Sequence, residues 1–400
     1  MQFAERLNQV ETSAIRELFK LLGKPGIISF AGGFPDSALF DVEGIRAATE
    51  AALNEEPGAA LQYGATEGHQ PLREELAKLM AAKGVRDVAA GDLLVTTGSQ
   101  QALDLLGKTM ISPGDKVIVE GPTFLATIQC FRLYGAEVIS APIDDQGVDT
   151  EALEKLMAEH QPKMVYLIPT FGNPSGATLS LERRRKVLEL AVKYQTLVVE
   201  DDPYGDLYFD AAPPPSLLAL SSEVPGSRAW LAHCGSLSKV LSPGLRVGWL
   251  VAPTALRERA VMCKQFSDAH TSTYAQATAA RYLKAGGMPA TLARVRAVYA
   301  GRARAMAEAL RRELGDAVSF VAPQGGLFLW VRLTGARGQL QDANVLAQRA
   351  IGQGVAFVPG APFFAQDPDT STFRLSFATA DVAKIEEGMV RLGQALRAQA

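Results

Sequence analysis

From Leu93 to Glu120 the chain reads LLVTTGSQQALDLLGKTMISPGDKVIVE. Short apolar runs at 93–97 and 116–120 flank a segment from about Ser99 that predicts a helix, so the stretch predicts a strand, a helix and a second strand. The same alternation continues well beyond this stretch, with the next helix expected from about Thr123. Strands that alternate with helices indicate a mainly parallel sheet between helices, and such sheets bind ligands at the carboxyl ends of their strands.

The pattern predicts an α/β fold with a large and a small domain. Beyond about Leu314 the order becomes strand-rich, which predicts a smaller α+β domain with one of its strands at 355–358. We divide the chain into an N-terminal segment over 1–40 that is part of the small domain, a large domain over 41–290 and a C-terminal small domain over 291–400. The N-terminal segment is expected to contain a helix around residues 13–22. The large sheet is expected to have seven strands, at 93–97, 116–120, 137–140, 164–168, 197–200, 229–235 and 247–252.

Composition favours an enzyme that acts on small molecules. The 400 residues are 48% hydrophobic and 21% charged, which is enough apolar material for a large core. The formal net charge of −3 comes from 40 basic and 43 acidic residues, and it provides neither a basic field for nucleic acid nor a polybasic membrane patch. We therefore expect no nucleic-acid partner and no membrane partner.

The amino terminus, the cysteines and the histidines predict a cytoplasmic protein without a metal. Glu5 stands where a signal peptide would be basic, and no apolar run reaches the length of a membrane span. Three scattered cysteines argue against a disulfide framework and for a reducing compartment. The four histidines show no metal-ligand spacing with each other or with the cysteines.

Lys239 stands in an unusual local composition. Its neighbours are hydroxylic or apolar, a Pro-Gly turn follows it, and Arg246 lies seven positions later. Such neighbours solvate an ammonium group poorly and lower its pKa, which makes Lys239 a candidate nucleophile toward a carbonyl group. An ordinary loop lysine beside an ordinary arginine is the alternative.

Other polar residues follow predicted strands. Ser99 and Gln100 open a helix whose N–H groups attract an anion, although an N-capping role explains Ser99 equally well. Asn173 stands in an Asn-Pro turn, which a simple loop also explains. Asp201 ends an apolar strand and requires a cationic partner if it is buried, and Tyr204 can face the same ligand.

Two further residues have open alternatives. Phe124 either stacks on a ring or belongs to the core. Arg374 interrupts an apolar strand, and it either faces solvent or binds a carboxylate with two of its nitrogens.

Taken in chain order, these motifs resemble those of the fold-type I pyridoxal 5'-phosphate (PLP) enzymes, and among them the class I and II aminotransferases. Phe30-Ala31-Gly32-Gly33-Phe34-Pro35 and Leu61-Gln62-Tyr63-Gly64 resemble the 2-aminoadipate and kynurenine aminotransferase branch. The resemblance runs from about residue 12 to the end. The motifs that carry it are Ser99-Gln100, Asn173-Pro174-Ser175-Gly176, Asp201-Asp202-Pro203-Tyr204, Ser236-Leu237-Ser238-Lys239, Arg246 and Phe373-Arg374-Leu375-Ser376.

The resemblance implies a role for each residue toward PLP. Lys239 would hold the cofactor covalently and move the proton between the substrate's α-carbon and the cofactor. Asp201 would keep the pyridine nitrogen protonated. Tyr204 and Asn173 would hydrogen-bond the ring oxygen, and Phe124 would stack on the ring. The phosphate would be bound by Ser99, Gln100, Ser236, Ser238 and Arg246.

The resemblance also implies substrate contacts and a homodimer. Arg374 would bind the substrate α-carboxylate, with Asn173 and the Gly33 backbone nearby. Tyr63 would reach the phosphate of the neighbouring subunit, so that the dimer would be required for a complete site. Arg16 would meet a distal carboxylate from an N-terminal helix that covers the substrate; a solvated helix residue is the alternative.

The implied function is a cytoplasmic, homodimeric, PLP-dependent aminotransferase. It would move the α-amino group of an amino acid to a 2-oxo acid such as 2-oxoglutarate with ping-pong kinetics. A PLP-dependent lyase on the same fold is one alternative. The effector-sensing domain of a transcription regulator is another, and it is disfavoured because no basic helix-turn-helix segment precedes residue 12. The donor stays open among 2-aminoadipate, kynurenine, aromatic and branched-chain amino acids.

Overall fold

The computed structural model describes residues 3–9, 26–335 and 341–398. The α-helices in this part are α1 Val42–Glu55, α2 Pro57–Leu61, α3 Gln70–Ala82, α4 Ser99–Met110, α5 Leu125–Leu133, α6 Thr150–His160, α7 Leu181–Tyr194, α8 Leu217–Leu220, α9 Thr254–Ser267, α10 Thr273–Lys284, α11 Met288–Leu314, α12 Ala343–Gly352 and α13 Val382–Arg397. The strands are β1 Ile28–Ser29, β2 Leu93–Thr96, β3 Lys116–Gly121, β4 Glu137–Asp144, β5 Gly147–Val148, β6 Met164–Leu167, β7 Leu197–Asp202, β8 Leu231–Ser236, β9 Gly248–Val251, β10 Val318–Phe320, β11 Phe328–Leu333, β12 Val355–Ala356, β13 Val358–Pro359 and β14 Thr372–Ser376.

The large sheet confirms the predicted α/β class. Its strand order is β2-β9-β8-β7-β6-β3-β4-β5. The seven predicted strands are all present, and six of them run in one direction, with β9 antiparallel to both of its neighbours. The eighth strand, β5, is a two-residue addition that pairs antiparallel with β4 at the edge.

The central strands are apolar because helices cover both faces of the sheet. Every residue of β2, β6 and β8 is buried, which matches the short apolar runs in the sequence. Side-chain caps begin several of the covering helices. Asp149 accepts hydrogen bonds from the first backbone N–H groups of α6, and Ser180 does the same for α7. The strand ends are therefore held at fixed positions along one edge of the sheet.

A smaller antiparallel sheet has the strand order β10-β11-β14-β13. The prediction of one strand at 355–358 was wrong, because β12 pairs with β1 whereas β13 pairs with β14. Phe357, between the two, is buried and packs on Phe373 at a ring-centroid distance of 4.8 Å. The run is apolar throughout, so its sequence contains no signal for the change of partner.

One helix begins later than predicted, and another was not predicted. The helix expected from about Thr123 begins at Leu125, because Thr123 donates its backbone N–H to Phe363 O and Phe124 is extended. Helix α2 was not predicted; it is only five residues long and begins with Pro57, which suits the first position of a helix.

The N-terminal strand joins the C-terminal part of the chain. β1 pairs in parallel with β12, and Ser376 donates its backbone N–H to Phe30 O at 2.8 Å. The division into 1–40, 41–290 and 291–400 stays a prediction. The helix predicted around residues 13–22 lies outside the described residues.

No helix in the described ranges has both the length and the apolar character needed to cross a membrane. Those ranges also contain no group of three or more His, Cys, Asp or Glu side chains arranged to hold a metal ion.

Candidate active site

A cavity of about 410 Å³ lies at the carboxyl ends of the central strands. This is the edge at which a mainly parallel sheet binds its ligands. Twelve of the fourteen residues predicted for the site line it, although they come from distant parts of the chain. They are Gly33, Ser99, Gln100, Phe124, Asn173, Asp201, Tyr204, Ser236, Ser238, Lys239, Arg246 and Arg374.

The other two predicted residues are Tyr63 and Arg16. Tyr63 does not line it; the side chain is 85% exposed and contacts the ring of His270 edge-on at 5.7 Å. Arg16 lies outside the described residues.

Lys239 enters the cavity from the segment after β8. Its Nζ donates a hydrogen bond of 2.9 Å to the carbonyl oxygen of Gly33. Burial lowers the pKa of Lys239 to about 8, and the positive charges of Arg374 and Arg246 add to the effect. A large share of this amine is therefore uncharged in mildly alkaline solution, as a nucleophile or base requires.

Two glycines shape the loop between β2 and α4. Gly98 has a φ of +76°, and a Cβ there would lie 2.5 Å from Arg246 Nη2. A Cβ on Gly248, in the adjacent β9, would lie 2.6 Å from the carbonyl carbon of Gly98 and 2.7 Å from Ser99 N. Glycine at both positions lets the start of α4, Arg246 and β9 pack in direct contact.

The same corner of the cavity gathers groups that can hold a phosphate. Arg246 donates through Nη2 to Thr97 O at 3.1 Å, which aims the guanidinium at the N-terminus of α4. Ser236 Oγ donates to Ser238 Oγ at 2.9 Å, so the two hydroxyls form one pair. A guanidinium, two hydroxyls and the N-terminus of a helix together form a site for a dianion.

Asp201 has one satisfied and one unsatisfied oxygen. Its Oδ2 accepts a hydrogen bond of 2.8 Å from the hydroxyl of Tyr166. Its Oδ1 is buried and has no hydrogen-bond partner among the described residues. Burial raises the pKa of Asp201 to about 7, and the bond from Tyr166 opposes that rise. A cationic N–H group in the cavity would satisfy the free oxygen.

Arg374 faces the cavity. This excludes the alternative, left open by the sequence, that Arg374 faces solvent. The residue is 3% exposed, and its guanidinium donates to Asn173 Oδ1 and to Ala31 O, each at 2.7 Å. Its carbon Cζ lies 4.2 Å from the ring centroid of Phe328. Burial lowers the pKa of Arg374 to about 10, which still leaves it charged at neutral pH. It can bind a carboxylate inside the cavity.

Tyr204 completes this side of the cavity. Its ring packs edge-on against Phe328 at 5.8 Å. Burial raises the pKa of Tyr204, while Arg374 and the side chain of Asn173 oppose the rise. The hydroxyl is thus a protonated donor at neutral pH, directed at the same space as the arginine.

Comparison with known proteins identifies the family. Residues 27–392 match the family model for aminotransferase class I and II. The chain belongs to this family.

Named relatives of this aminotransferase cover nearly its whole length. It is 43% identical to a 2-aminoadipate transaminase of Thermus thermophilus, over 99% of this chain and 96% of the relative. It is 41% identical to the solved α-aminoadipate aminotransferase of that species in complex with N-(5'-phosphopyridoxyl)-L-leucine, with a TM-score of 0.90 over 99% of this chain and 97% of the other. The kynurenine aminotransferase of Pyrococcus horikoshii, solved with PMP, is 38% identical and has a TM-score of 0.92 over 99% and 96% of the two chains.

The aminotransferase is PLP-dependent, and its cavity fits the cofactor. The free Oδ1 of Asp201 matches a protonated ring nitrogen, the corner at Arg246 and Ser99 matches a phosphate, and the amine of Lys239 matches an aldehyde. Phe124 lines the wall and can stack on the ring.

Sequence reasoning missed several residues of this aminotransferase's site. Tyr166 was assigned only to a strand, although a tyrosine in a fully buried strand needs a hydrogen-bond partner, and that requirement was the available signal. Gly248 was assigned only to the strand at 247–252, and its close approach to Gly98 has no local signal in the sequence. Leu125 and Phe363 also line the cavity, and both look like ordinary core residues in the sequence.

Proposed function

We propose that this aminotransferase moves the α-amino group of an amino acid to 2-oxoglutarate, or to a related 2-oxo acid, by a ping-pong mechanism. The observation that carries the proposal is the gathering of Lys239, Arg374 and the unsatisfied oxygen of Asp201 in one cavity. One cavity in which Arg374 is the arginine proposed for the substrate carboxylate supports a mechanism in which the two substrates bind in turn.

The polar residues of the cavity have separate roles in the proposed reaction. When bound, PLP supplies an aldehyde that takes up the amino group and a ring that stabilises negative charge at the substrate's α-carbon. Lys239 Nζ moves the proton at that carbon, because its lowered pKa lets it accept and return a proton near neutral pH. Asp201 binds the ring nitrogen, and Tyr204 with Asn173 hydrogen-bonds the ring oxygen.

Arg374 binds the α-carboxylate of both substrates. It is already held by Asn173 and Ala31 O, so its guanidinium needs little reorganisation when a carboxylate arrives. The backbone of Gly33 lies beside it in the cavity wall. An amino acid and a 2-oxo acid share this carboxylate, and one arginine therefore serves both half-reactions.

The walls that face a substrate side chain are largely apolar. Phe34, Leu125 and Phe363 line the cavity, and its described lining residues contain no cation besides Lys239, Arg246 and Arg374, each with a role above. This lining supports aromatic and branched-chain donors. A donor with a second carboxylate, such as 2-aminoadipate, needs another cation, and we propose Arg16 for that contact.

A panel of amino-acid donors with 2-oxoglutarate tests the proposal. Each donor is mixed with the holoenzyme alone, and the cofactor spectrum is followed before and after the 2-oxo acid is added. We expect the donor to convert the cofactor and the 2-oxo acid to restore it. Ammonia released without any 2-oxo acid acceptor would instead indicate a lyase on the same fold.

The donor panel also tests Arg16. The variant Arg16→Ala is expected to lose rate on acidic donors and to keep its rate on neutral ones. Equal relative rates on both classes would overturn the role of Arg16 and leave the aminotransferase activity untouched.

We further propose a homodimer in which Tyr63 contributes to the partner's phosphate site. Within one chain Tyr63 is exposed and outside the cavity, and other exposed apolar side chains such as Leu61 and Phe266 are available to an interface. A phenol that a partner inserts near Arg246 would add a donor to the phosphate.

Mixed dimers distinguish this arrangement from a role within one chain. Lys239→Ala and Tyr63→Ala subunits are unfolded, mixed and refolded together. A mixed dimer then has one complete site, because the Tyr63→Ala subunit keeps its lysine and receives tyrosine from its partner. We expect activity well above that of either variant alone; no gain on mixing would contradict the exchange.

The cytoplasmic location stays a prediction.

A further inference from the structure

Tyr166 occupies a rigid position beneath the active site. It lies in β6, has no exposed surface, and is flanked by Val119 of β3 and Val199 of β7. Its ring packs edge-on against Phe131 at a centroid distance of 6.0 Å. A side chain packed on all sides has one accessible rotamer, so the position of its hydroxyl is fixed by the sheet.

The hydroxyl of Tyr166 meets one specific oxygen in the cavity wall. It donates to Asp201 Oδ2 at 2.8 Å, which leaves Oδ1 as the oxygen without a partner among the residues that the structure describes. We propose that Tyr166 is a positioning residue that keeps Asp201 ionised and directs its free oxygen toward the cofactor's ring nitrogen. The proposal rests on the proposed role of Asp201 in cofactor binding.

The surroundings of this pair explain why a donor is needed. Burial raises the pKa of Asp201 to about 7, and Asp202 and Glu200 raise it further, while Tyr166 and His233 lower it. His233 contacts Glu200 Oε2 through Nδ1 at 2.8 Å, so its direct partner is Glu200. A hydrogen bond from Tyr166 is therefore the one direct contact that favours the charged carboxylate among the described side chains.

The hydroxyl of Tyr166 keeps its proton at neutral and mildly alkaline pH. Burial raises its pKa well above the ordinary value, and the negative charge of Asp201 adds to the rise. Glu120 is the other acid near Tyr166; it accepts a bond of 2.8 Å from Ile168 N, and burial raises its pKa to about 8. Glu120 is thus mostly uncharged at neutral pH. Thr127 faces the same hydroxyl, and Cys234 and Tyr204 face Asp201, all three uncharged at neutral pH.

The hydrogen bond makes a pH-dependent contribution to cofactor binding. Below the pKa of about 7, Asp201 in the cofactor-free protein is protonated, whereas binding to the ring nitrogen requires the ionised form. Tyr166 then stabilises the complex more than the free protein. Well above that pKa, Asp201 is ionised before and after binding, and the bond contributes equally to both states.

The test uses cofactor-free protein and measures the dissociation constant of PLP between about pH 6 and pH 9. In Tyr166→Phe we expect PLP to bind about tenfold more weakly at the acidic end, from the size of a hydrogen bond to a charged group, and nearly normally at the alkaline end. Tyr282→Phe is the matched control, because it removes a buried hydroxyl that donates to Asp41 at 3.0 Å, outside the cavity. It should bind PLP normally at every pH.

A double variant separates an effect through Asp201 from a general defect. In an Asp201→Asn background, adding Tyr166→Phe should change PLP binding little, because the carboxylate on which the hydroxyl acts is gone. An equal loss at all pH values, or a full further loss in the Asp201→Asn background, would overturn the proposal. If Asp201→Asn alone leaves PLP binding unchanged, the role of Asp201 fails, and the role of Tyr166 fails with it.

Discussion

The Nζ atom of Lys239 lies 2.9 Å from the carbonyl oxygen of Gly33, a residue 206 positions earlier in the chain. The segment that carries Gly33 is fastened to the C-terminal part, because β1 pairs with β12 and Phe30 O accepts a bond from Ser376 N. The amine therefore meets a neutral carbonyl held in place by the smaller sheet. No described carboxylate pairs with this lysine, so no negative charge offsets the lowering of its pKa by burial.

The first prediction concerns the pH dependence of cofactor attachment to Lys239. The uncharged amine reacts with an aldehyde, so the attachment rate in cofactor-free protein should rise with pH and level off with a midpoint near 8. Trapping with borohydride at short times measures this rate. Arg374→Gln should move the midpoint upward, because a nearby positive charge disfavours the ammonium form. A midpoint at the ordinary lysine pKa would contradict the environment described here.

The second prediction separates the phosphate site from the ring site. Arg246→Gln should weaken PLP binding by about 10- to 100-fold, the size of a lost hydrogen bond to a charged group. The same variant should bind pyridoxal, which has no phosphate, as the unchanged protein does. Equilibrium titration of cofactor-free protein with both compounds measures the difference. Equal losses of affinity for PLP and pyridoxal would show that Arg246 does not act through the phosphate.

The third prediction tests the contact between β9 and the start of α4. Gly248→Ala would bring a methyl group within 2.7 Å of Ser99 N, so we expect a loss of stability of about 1–3 kcal/mol and weaker PLP binding. Gly301→Ala is the control, since it lies in α11 with open space around it and should stabilise the fold by about 0.5–1 kcal/mol. Denaturant unfolding compares the two, and the account fails if they shift stability in the same direction.

The strand ends explain how much of the site was predictable. Ser99 and Lys239 each follow a strand and Asp201 lies near the end of one, and strand periodicity together with a short motif is local information that the sequence contains. The orientation of Arg374 was not predictable, because alternation along β14 allows both faces and only the packing on Phe328 decides between them.

Contacts between distant segments could not be predicted from the sequence for the same reason. The hydroxyl of Tyr166 reaches Asp201 across two neighbouring strands, and the apolar run at 355–358 divides between two sheets. Each depends on which segments become neighbours after folding, and the residue types involved are those of any buried strand.

Transfer of labelled nitrogen tests the central claim most directly. The holoenzyme is given an amino-acid donor labelled at its α-amino group, with unlabelled 2-oxoglutarate, and the products are analysed by mass spectrometry. The account predicts labelled glutamate together with one equivalent of the donor's 2-oxo acid, and neither product from Lys239→Ala. Label recovered as ammonia, with glutamate unlabelled, would contradict it.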